Sequence, residues 1–500
     1  MDSWALLSVS DKSGLSDLAR YLVEEQDLRL LATASTARYL QQEGFQVSTV
    51  ESLTGFGEIL DGRVKTLHPL IYGGLLASSK AEHQQQREEM GAPDIRVVVV
   101  NLYPFEARWQ EGLQGSALIE EIDIGGVSLI RAAAKNHERV AVLVNPEQYT
   151  TYIEEDDSSN LRQRLAVEAF RHVAYYDAMI AEALSHPDEE PEVLTVPGRR
   201  VGTLRYGENP HQSGAFYAIP PKRGFATAKL LQGKPLSFNN YADADTAVKL
   251  AMDLGSPAAV VVKHQTPSSA ALGDTLMAAY ERAHDADPVS IFGGVVALNG
   301  AVDRALAEKL TEIFLEVVIA PEVRDDALSV FAKKKNLRVL TMSFDPIESN
   351  DFKGILGGML VQPADRLQKS REAWRHVAGP ALNWEQYGGD VELAWKTVAR
   401  VKSNALVVAK NGATLGIGGG QTNRIDAARQ ALDRAGEAAR GAVMASDGFF
   451  PFGDVLRLCR ERGIAVVIEP GGSLRDQESL DEASEAGITL IMTDERHFRH

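Results

Sequence analysis

Cysteine is nearly missing from this chain: Cys459 is the only one in 500 residues. No intramolecular disulfide can form, and no cysteine-built zinc centre can either. Long apolar runs are missing as well, since nowhere do about eighteen apolar residues follow one another, and no transmembrane helix is expected. The start, MDSWALLSVSDKSG, has neither a basic segment nor a long apolar stretch, so no signal peptide is read there. Basic charge is in deficit, with 52 Lys and Arg against 69 Asp and Glu and a formal net charge of -17. Such a field repels nucleic acid and anionic membrane, and neither is expected as a partner. An anionic small ligand needs only a local basic pocket and stays open. These absences together describe a cytoplasmic protein without low-complexity tracts or short repeats.

What is present is an ordinary globular composition, 44% hydrophobic and 24% charged, in a chain too long for one core. From 1 to about 145, strands such as WALLSV, LRLLAT, IRVVVVNLYPF and RVAVLVN alternate with helical patterns such as SGLSDLARYLVEE and TARYLQQEG. That alternation implies a parallel sheet with helical crossovers. Residues 161–184 keep the helical period throughout and are read as one long helix closing a first domain, 1–184. A linker is expected at 185–198, where SHPDEEPEVLTVPG carries three prolines and an acidic cluster, and a second domain at 199–500. In that domain two apolar segments end in polar loops, VVVKHQTP and ALVVAKNG, which hints at a duplicated α/β unit. Asn411-Gly412 is the strongest short hairpin signal in the chain.

Several loops carry chemistry. SVSDKSG places Ser8, Ser10 and Lys12 at a strand end before a helix, and Thr33-Ala34-Ser35-Thr36 does the same at the next strand. Hydroxyls and an ammonium beside helix N-terminal amides suit a phosphate, although a plain N-cap with a solvated lysine is the alternative. GRVKTLHP packs Arg63, Lys65 and Thr66 into one short loop, and NLYPF puts Asn101 and Tyr103 where a strand leaves the sheet. EIDIGG offers Asp123 and Gly125. Lys135 follows among alanines, either as a buried proton-transfer group or as an exposed helical lysine. The glycines of GIGGGQ are not a dinucleotide fingerprint, because the last required glycine is Gln421.

VVVKHQTP raises the sharpest question, since Lys263 and His264 are adjacent and strand neighbours point to opposite faces. Pro267 is expected to end the strand there, and an irregular backbone to turn both side chains into one pocket.

SVSDKSG, GRVKTLHP, NLYPF and EIDIGGVSLIRAAAKN, in that order, resemble the inosinate cyclohydrolase half of the bifunctional AICAR formyltransferase/IMP cyclohydrolase family. LRYGENPHQ, VVKHQTP, SIFGGVVALN, KSNALVVAKNG, GQTNRIDAAR, SDGFFPFGD and RHFRH are similar to its formyltransferase half. The resemblance implies an α/β protein with an N-terminal methylglyoxal-synthase-like parallel-sheet domain and a C-terminal pair of cytidine-deaminase-like units. The zinc signature of the latter fold needs cysteines that this chain lacks, so no catalytic metal is expected.

It further implies a homodimer with formyltransferase sites at the subunit interface and 10-formyltetrahydrofolate as co-substrate. By position, Lys263, His264 and Asn404 would carry formyl transfer. Arg205, Tyr206, Gly293, Glu316, Arg424, Phe449, Asp454, Ser473, Arg496 and His500 would line the nucleotide and folate pockets. Lys65, Tyr103, Asp123 and Lys135 would serve the ring closure. Ser8, Ser10, Lys12, Thr33, Thr36, Arg63, Thr66, Asn101 and Gly125 would hold its substrate. The family reads Ser-Gly-Gly-Thr where this chain has Thr33-Ala34-Ser35-Thr36. If positive φ is needed there, Ala34 and Ser35 adopt it poorly. Competing readings are a formyltransferase with a disabled first domain and a non-catalytic purine-nucleotide sensor.

Overall fold

The computed structural model describes all residues except 1, 61, 187–189 and 348. Residues 187–189, in the middle of the expected linker, thus lie outside the described residues. The chain divides into two compact units, Met1–Arg199 with Ala218–Lys222 and Arg200–Tyr217 with Arg223–His500. No helix among the described residues is long and apolar enough to cross a membrane.

The first unit holds a five-stranded, all-parallel sheet. Its strands are β1 (Ser3–Ser8), β2 (Arg29–Ala32), β3 (Val47–Thr49), β4 (Asp94–Val100) and β5 (Ala141–Leu143), in the order β3-β2-β1-β4-β5. Helices α1 (Leu15–Glu24), α2 (Ala34–Gln42) and α3 (Gly125–Lys135) are among its crossovers, and α4 (Ser159–Leu184) is the expected long helix. Both sheet faces are covered, as the continuous apolar runs require: Val98 and Val100 join one core with Ile130 and Tyr176, while Val97 and Val99 join another with Leu18 and Leu22. Strand order reverses direction between β1 and β4, which opens a crevice at their carboxyl ends.

The second unit is a twelve-stranded mixed sheet built from two copies of one plan. The first copy runs β6 (Lys229–Gln232), α5 (Phe238–Leu254), β7 (Ala258–Lys263), β8 (Thr266–Leu272), α6 (Leu276–Ala286), β9 (Val295–Leu298), α7 (Arg304–Leu310), β10 (Val317–Ala320), α8 (Asp325–Phe331) and β11 (Arg338–Thr341). The second runs β12 (Arg375–Ala378), α9 (Trp384–Val398), β13 (Leu406–Lys410), β14 (Ala413–Gly418), α10 (Arg424–Ala435), β15 (Val443–Ser446), α11 (Asp454–Arg462), β16 (Val466–Glu469), α12 (Asp476–Ala486) and β17 (Thr489–Met492).

Sheet order is β12-β17-β16-β15-β13-β14-β8-β7-β9-β10-β11-β6, so each copy reads outward from its own hairpin in the same sequence. The duplication hinted at by the two polar loops is therefore the architecture itself. The copies meet where β8 pairs antiparallel with β14, at Ala271 and Ala413. Helices α5 and α9 share one face and one core, with Trp395 packed among Val260, Val262, Val407 and Ala409. The remaining helices cover the opposite face in two separate cores.

One local expectation changes, and one set of glycines gains a role. Pro267 does not end the apolar segment, because a new strand, β8, starts at Thr266 and contains it. The ladder is irregular between Pro267 and Ser269, as a residue without an N–H requires. Gly416 and Gly418 serve packing: a Cβ on Gly416 would stand 2.0 Å from the Ala431 carbonyl oxygen, and one on Gly418 2.0 Å from that of Ala427. Strand β14 thus lies against the bare backbone of α10. Gly416→Ala is expected to destabilise the protein by at least about 1–3 kcal/mol, read as a lower urea midpoint at unchanged m-value.

Candidate active site

In the first unit the candidates gather at the β1/β4 crevice. Ser8 Oγ accepts from Thr33 Oγ1 at 3.4 Å, and the Val9 amide donates to Thr36 Oγ1 at 3.2 Å. Ser10 Oγ donates to the Leu102 carbonyl at 3.0 Å, which ties the β1 loop to the end of β4. Lys12 donates to the Val9 carbonyl, and burial lowers its pKa. Thr33 occupies the N-cap of α2 in extended conformation but makes no side-chain cap, so the first amides of that helix remain available to an anion. Ala34 and Ser35 are the first two residues of the helix, exposed, and neither has positive φ. The backbone objection to replacing two glycines there falls away.

A second cluster lies beside this one. Lys65 Nζ donates to the Tyr103 hydroxyl at 2.8 Å. Burial raises the pKa of Asp123, against the amides of Gly126 and Tyr103 and the charge of Lys65, which pull it down. The Gly126 amide reaches Asp123 Oδ1 at 2.7 Å. Thr66 Oγ1 and Asn101 Oδ1 are buried without a hydrogen-bond partner among the described residues. Thr66 Oγ1 would stand 2.9 Å from a Cβ on Gly125, so only glycine fits at that helix start.

Two candidates are not drawn in. Arg63 forms an exposed pair with Glu120. Lys135 is exposed at the other end of α3 from Asp123. An eleven-residue helix rises about 16 Å, so Lys135 cannot join Asp123 within this unit.

In the second unit strand directions decide the grouping. Because β7 is antiparallel to β8 and β9, and β14 to β8 and β13, one edge of the sheet collects the β7–β8 turn and the starts of β9, β10 and β13. The ends of β14, β15, β16 and β17 lie on the same edge. Lys263, His264, Gly293, Glu316, Asn404, Arg424, Phe449, Asp454, Ser473, Arg496 and His500 all fall there. Arg205 and Tyr206 belong to a segment tied to the start of α5, where Asn239 Nδ2 donates to the Glu208 carbonyl at 3.2 Å.

Lys263 and His264 are not two strand residues. Lys263 is the last residue of β7, and its Nζ donates to the Phe292 carbonyl at 2.9 Å. His264 and Gln265 form the two-residue turn to β8 with φ of 55° and 58°. Both central residues of such a hairpin turn need positive φ, a conformation that costs a residue with a side chain roughly 1–2 kcal/mol. This is the irregularity that lets neighbouring side chains escape strand alternation.

Across the edge, Asn404 is held at both ends of its amide. Its Nδ2 donates to the Gln421 carbonyl at 2.9 Å, and its Oδ1 accepts from Arg424 at 2.7 Å. One N–H of that amide remains for a substrate. Arg424 is buried, donating also to Ser446 Oγ at 2.9 Å and pairing with the fully buried Asp447. Asp447 in turn accepts from the Ser403 hydroxyl and the Ala405 amide.

The chain end is tied down by the same group, since the His497 amide donates to the Asp447 carbonyl and the Arg499 amide to Ser403 Oγ. Arg496 lies 4.8 Å over the Phe498 ring, and the His500 ring is 6.0 Å from it. Asp494 and Glu495 do not oppose an anion freely. Asp494 pairs with Arg375 at 2.7 Å, and Glu495 accepts the amides of Gln368 and Lys369.

The outer candidates have local partners. Glu316 pairs with Arg338 at 2.7 Å, Asp454 Oδ1 accepts the Val455 amide, and Ser473 Oγ accepts that of Arg475. Strands β7 and β13 are separated by β8 and β14, so Lys263 and Asn404 stand about 14 Å apart at the backbone.

The decisive finding is the match of residues 133–434 to the family model described as AICARFT/IMPCHase bienzyme, with 14–128 matching an MGS-like domain. The chain belongs to the AICARFT/IMPCHase family. It is 46% identical to the bifunctional purine biosynthesis protein PurH of Oceanobacillus iheyensis over the full length of both chains. It is also 46% identical to PurH of Halalkalibacterium halodurans, over 99% of each chain, and 45% identical to that of Bacillus cereus strain B4264 over the whole of both. This AICARFT/IMPCHase protein is thus a bifunctional enzyme of purine biosynthesis.

Sequence reasoning passed over Asp243, Gln421, Asp447, Glu469 and Arg499. Asp447 sits inside the quoted SDGFFPFGD, and its placement at the end of an apolar strand was the available signal. Glu469 is fully buried at the end of β16, with Oε2 accepting the Gly471 amide at 2.9 Å and Oε1 unpartnered among the described residues. Burial raises its pKa to about 7, against the amides of Gly471 and Phe450 and the charge of Arg424.

Because the folded pKa lies above the unfolded one, the folded state holds the extra proton. Stability therefore falls as pH rises from about 4.5 to about 7 and then levels off. Glu469→Gln is expected to remove that slope, up to roughly 1.4 kcal/mol per pH unit, in denaturation series at pH 5 to 8.

Proposed function

We propose that the second unit transfers the formyl group of 10-formyltetrahydrofolate to the 5-amino group of AICAR, and that the first unit closes the product to IMP with loss of water. The observation that carries this reading is the single sheet edge on which the Lys263–His264 turn, Asn404 with Arg424, and the anchored cationic chain end are grouped. The acceptor amine is a poor nucleophile, because its lone pair is delocalised toward the neighbouring carboxamide.

His264 takes the amine proton as nitrogen attacks the formyl carbon. The ammonium of Lys263 stabilises the oxyanion of the tetrahedral intermediate, together with the free N–H of an Asn404 supplied by the other subunit. Its collapse breaks the bond to folate N10, which leaves with a proton. Arg205, Tyr206, Arg424, Arg496 and His500 bind the nucleotide, while Gly293, Glu316, Phe449, Asp454 and Ser473 complete the nucleotide and folate pockets.

In the first unit, Ser8, Ser10, Lys12, Thr33, Thr36 and the start of α2 hold the 5′-phosphate. The orphaned Thr66 and Asn101 oxygens, with Gly125, receive the rest, and Arg63 would join them only by leaving its exposed pair with Glu120. The carboxamide nitrogen attacks the formyl carbon of the same molecule, so holding the reactive conformer supplies much of the acceleration. Lys65 stabilises the oxyanion, and Tyr103 and Asp123 move the protons that allow water to leave. Lys135 would act only from outside this cluster.

Purified protein given AICAR and 10-formyltetrahydrofolate is expected to yield IMP without lag, followed by absorbance and mass. His264→Ala should lower formyl transfer about 100-fold or more and leave cyclisation of added formyl-AICAR intact. Formyl-AICAR accumulating in the unmodified protein would instead support the disabled-cyclase reading. No folate turnover at all would leave the sensor reading.

The enzyme is further read as a cytoplasmic homodimer whose formyl-transfer sites draw on both subunits. The 14 Å (about three strand spacings) between the Lys263 and Asn404 backbones keeps one chain from bringing both to a single formyl group, which is the argument for a site shared between subunits. The isolated hairpin of Asn350–Ile355 and Gly358–Pro363 is exposed on both faces and carries Phe352, Ile355, Met359, Leu360 and Val361. A two-stranded hairpin is at best marginal alone in water, so a second copy of the chain is its natural support. Leu360→Asp with Phe352→Asp is expected to shift the sedimentation of the protein from dimer to monomer and to abolish formyl transfer with it.

A further inference from the structure

We propose that Asp243 is the positioning residue of the formyl-transfer site, its carboxylate holding the His264–Gln265 turn in the left-handed conformation that aims His264. The proposal rests on the reading of His264 as the base of that reaction.

The duplicated fold supplies an internal comparison. The hairpin equivalent to β7–β8 in the other copy is β13–β14, whose turn is Asn411–Gly412 with φ of 56° and 76°. Asn and Gly are the residues that enter this conformation most readily. A carboxylate from the preceding helix completes the device: Asp390 of α9 accepts the Asn411 amide at 2.9 Å and the Gly412 amide at 2.7 Å. In the first copy the turn has the same shape but carries His264 and Gln265, neither of which favours it as Asn-Gly does. Asp243 of α5 stands where Asp390 does. Its Oδ1 accepts the Gln265 amide at 2.6 Å. Burial raises its pKa, against the turn's amides and the charge of His264, which pull it down.

The same device therefore holds an easy turn in one copy and a strained one in the other, and only the strained turn carries a base. Asp390 holds both amides of its turn and Asp243 the Gln265 amide, and a carboxylate bond to a turn amide is a strong way to fix such a turn. The support beneath it is rigid. Helix α5 begins in a capping box between Ser237 and Asn240, one turn before Asp243, and Asn239 of the same turn holds the segment of Arg205 and Tyr206. One helix end thus sets the base and the nucleotide-binding segment together. The remaining contacts on the turn are weaker, with Thr266 Oγ1 donating to the His264 carbonyl at 3.4 Å. Without the carboxylate the turn relaxes and His264 swings out of line, although its chemistry is unchanged.

The test uses the full-length protein. Asp243→Asn is expected to lower kcat for formyl transfer roughly 10- to 100-fold, the cost of a misplacement near 1 Å, with KM for AICAR moved little and cyclisation unchanged. Gln265→Gly in that background should restore most of the loss, because glycine takes positive φ without the carboxylate. Asp390→Asn, which removes the same bonds from the other hairpin, should leave kcat within about two-fold, because Asn-Gly holds its turn unaided.

An unchanged kcat in Asp243→Asn, or a folded double variant without rescue, overturns the proposal. Failure of the functional reading is distinguishable, since it would show as absent formyl transfer in the unmodified enzyme. The turn is then read without turnover, from the His264 ring shifts in histidine-labelled protein. Asp243→Asn should move them and Gln265→Gly move them back, and unmoved shifts again overturn the proposal.

Discussion

The antiparallel pairing of β8 with β14 governs the second unit. It joins two copies of one α/β plan head to tail, so the carboxyl ends of the parallel strands in one copy share an edge with the amino ends of those in the other. Loops that would be at opposite ends of a simple parallel sheet are thereby brought to one edge. The join itself is modest: beyond the ladder, the Ala270 amide donates to Thr414 Oγ1 at 3.0 Å and the Leu272 amide to the Gly412 carbonyl at 2.8 Å. The weight is carried by the core that crosses it, where Trp395 and the α5–α9 layer pack under strands of both copies.

Duplication also explains why the two halves can differ in chemistry without differing in shape. The turn Asn411–Gly412 and the turn His264–Gln265 have the same backbone, and each is met by an aspartate from the corresponding helix. One copy spends its residues on an unstrained turn, and the other accepts strain in order to present an imidazole. Strain of this kind persists only where the surroundings over-determine the backbone. A similar logic holds Asn404, whose amide is fixed by Gln421 and by an arginine that the buried Asp447 neutralises. The backbone carbonyl of that aspartate also accepts the His497 amide, and the Ser403 hydroxyl it holds accepts the Arg499 amide, so the last residues are ordered by the same segment that orders the site.

The first unit uses a plainer device, the reversal of strand order between β1 and β4. Its polar residues are left partly unsatisfied, with Thr66 and Asn101 oxygens buried and unpartnered among the described residues and α2 lacking a side-chain cap. Those features leave polar groups free for the ligand proposed for this unit, and they arise from loops that the parallel sheet holds in register.

Much of this was legible in the residues. Apolar runs such as VVVV at 97–100 and VVV at 260–262 announced strands buried on both faces, and the order of strands and helices announced α/β layers. The hydroxyl- and lysine-bearing strand ends, the Asn411-Gly412 hairpin and the His264 neighbourhood were readable because turn chemistry is local. The conformation of Ala34-Ser35, the placement of Lys135, the strand through Pro267 and the roles of Asp243, Asp447 and Glu469 were not.

Each of those depends on partners far away in the chain: the helix that starts at Ala34, the length of α3, the ladder around Pro267, and the amides and guanidinium that meet a buried carboxylate. By itself the sequence determined most of the strands and helices, the Asn411-Gly412 turn and which loops carry reactive groups, because periodicity and backbone preference act over a few residues. Only the tertiary structure decided which loops share an edge, which carboxylates are buried and which turn is strained. Those outcomes follow from strand order and packing between segments that are distant in the chain.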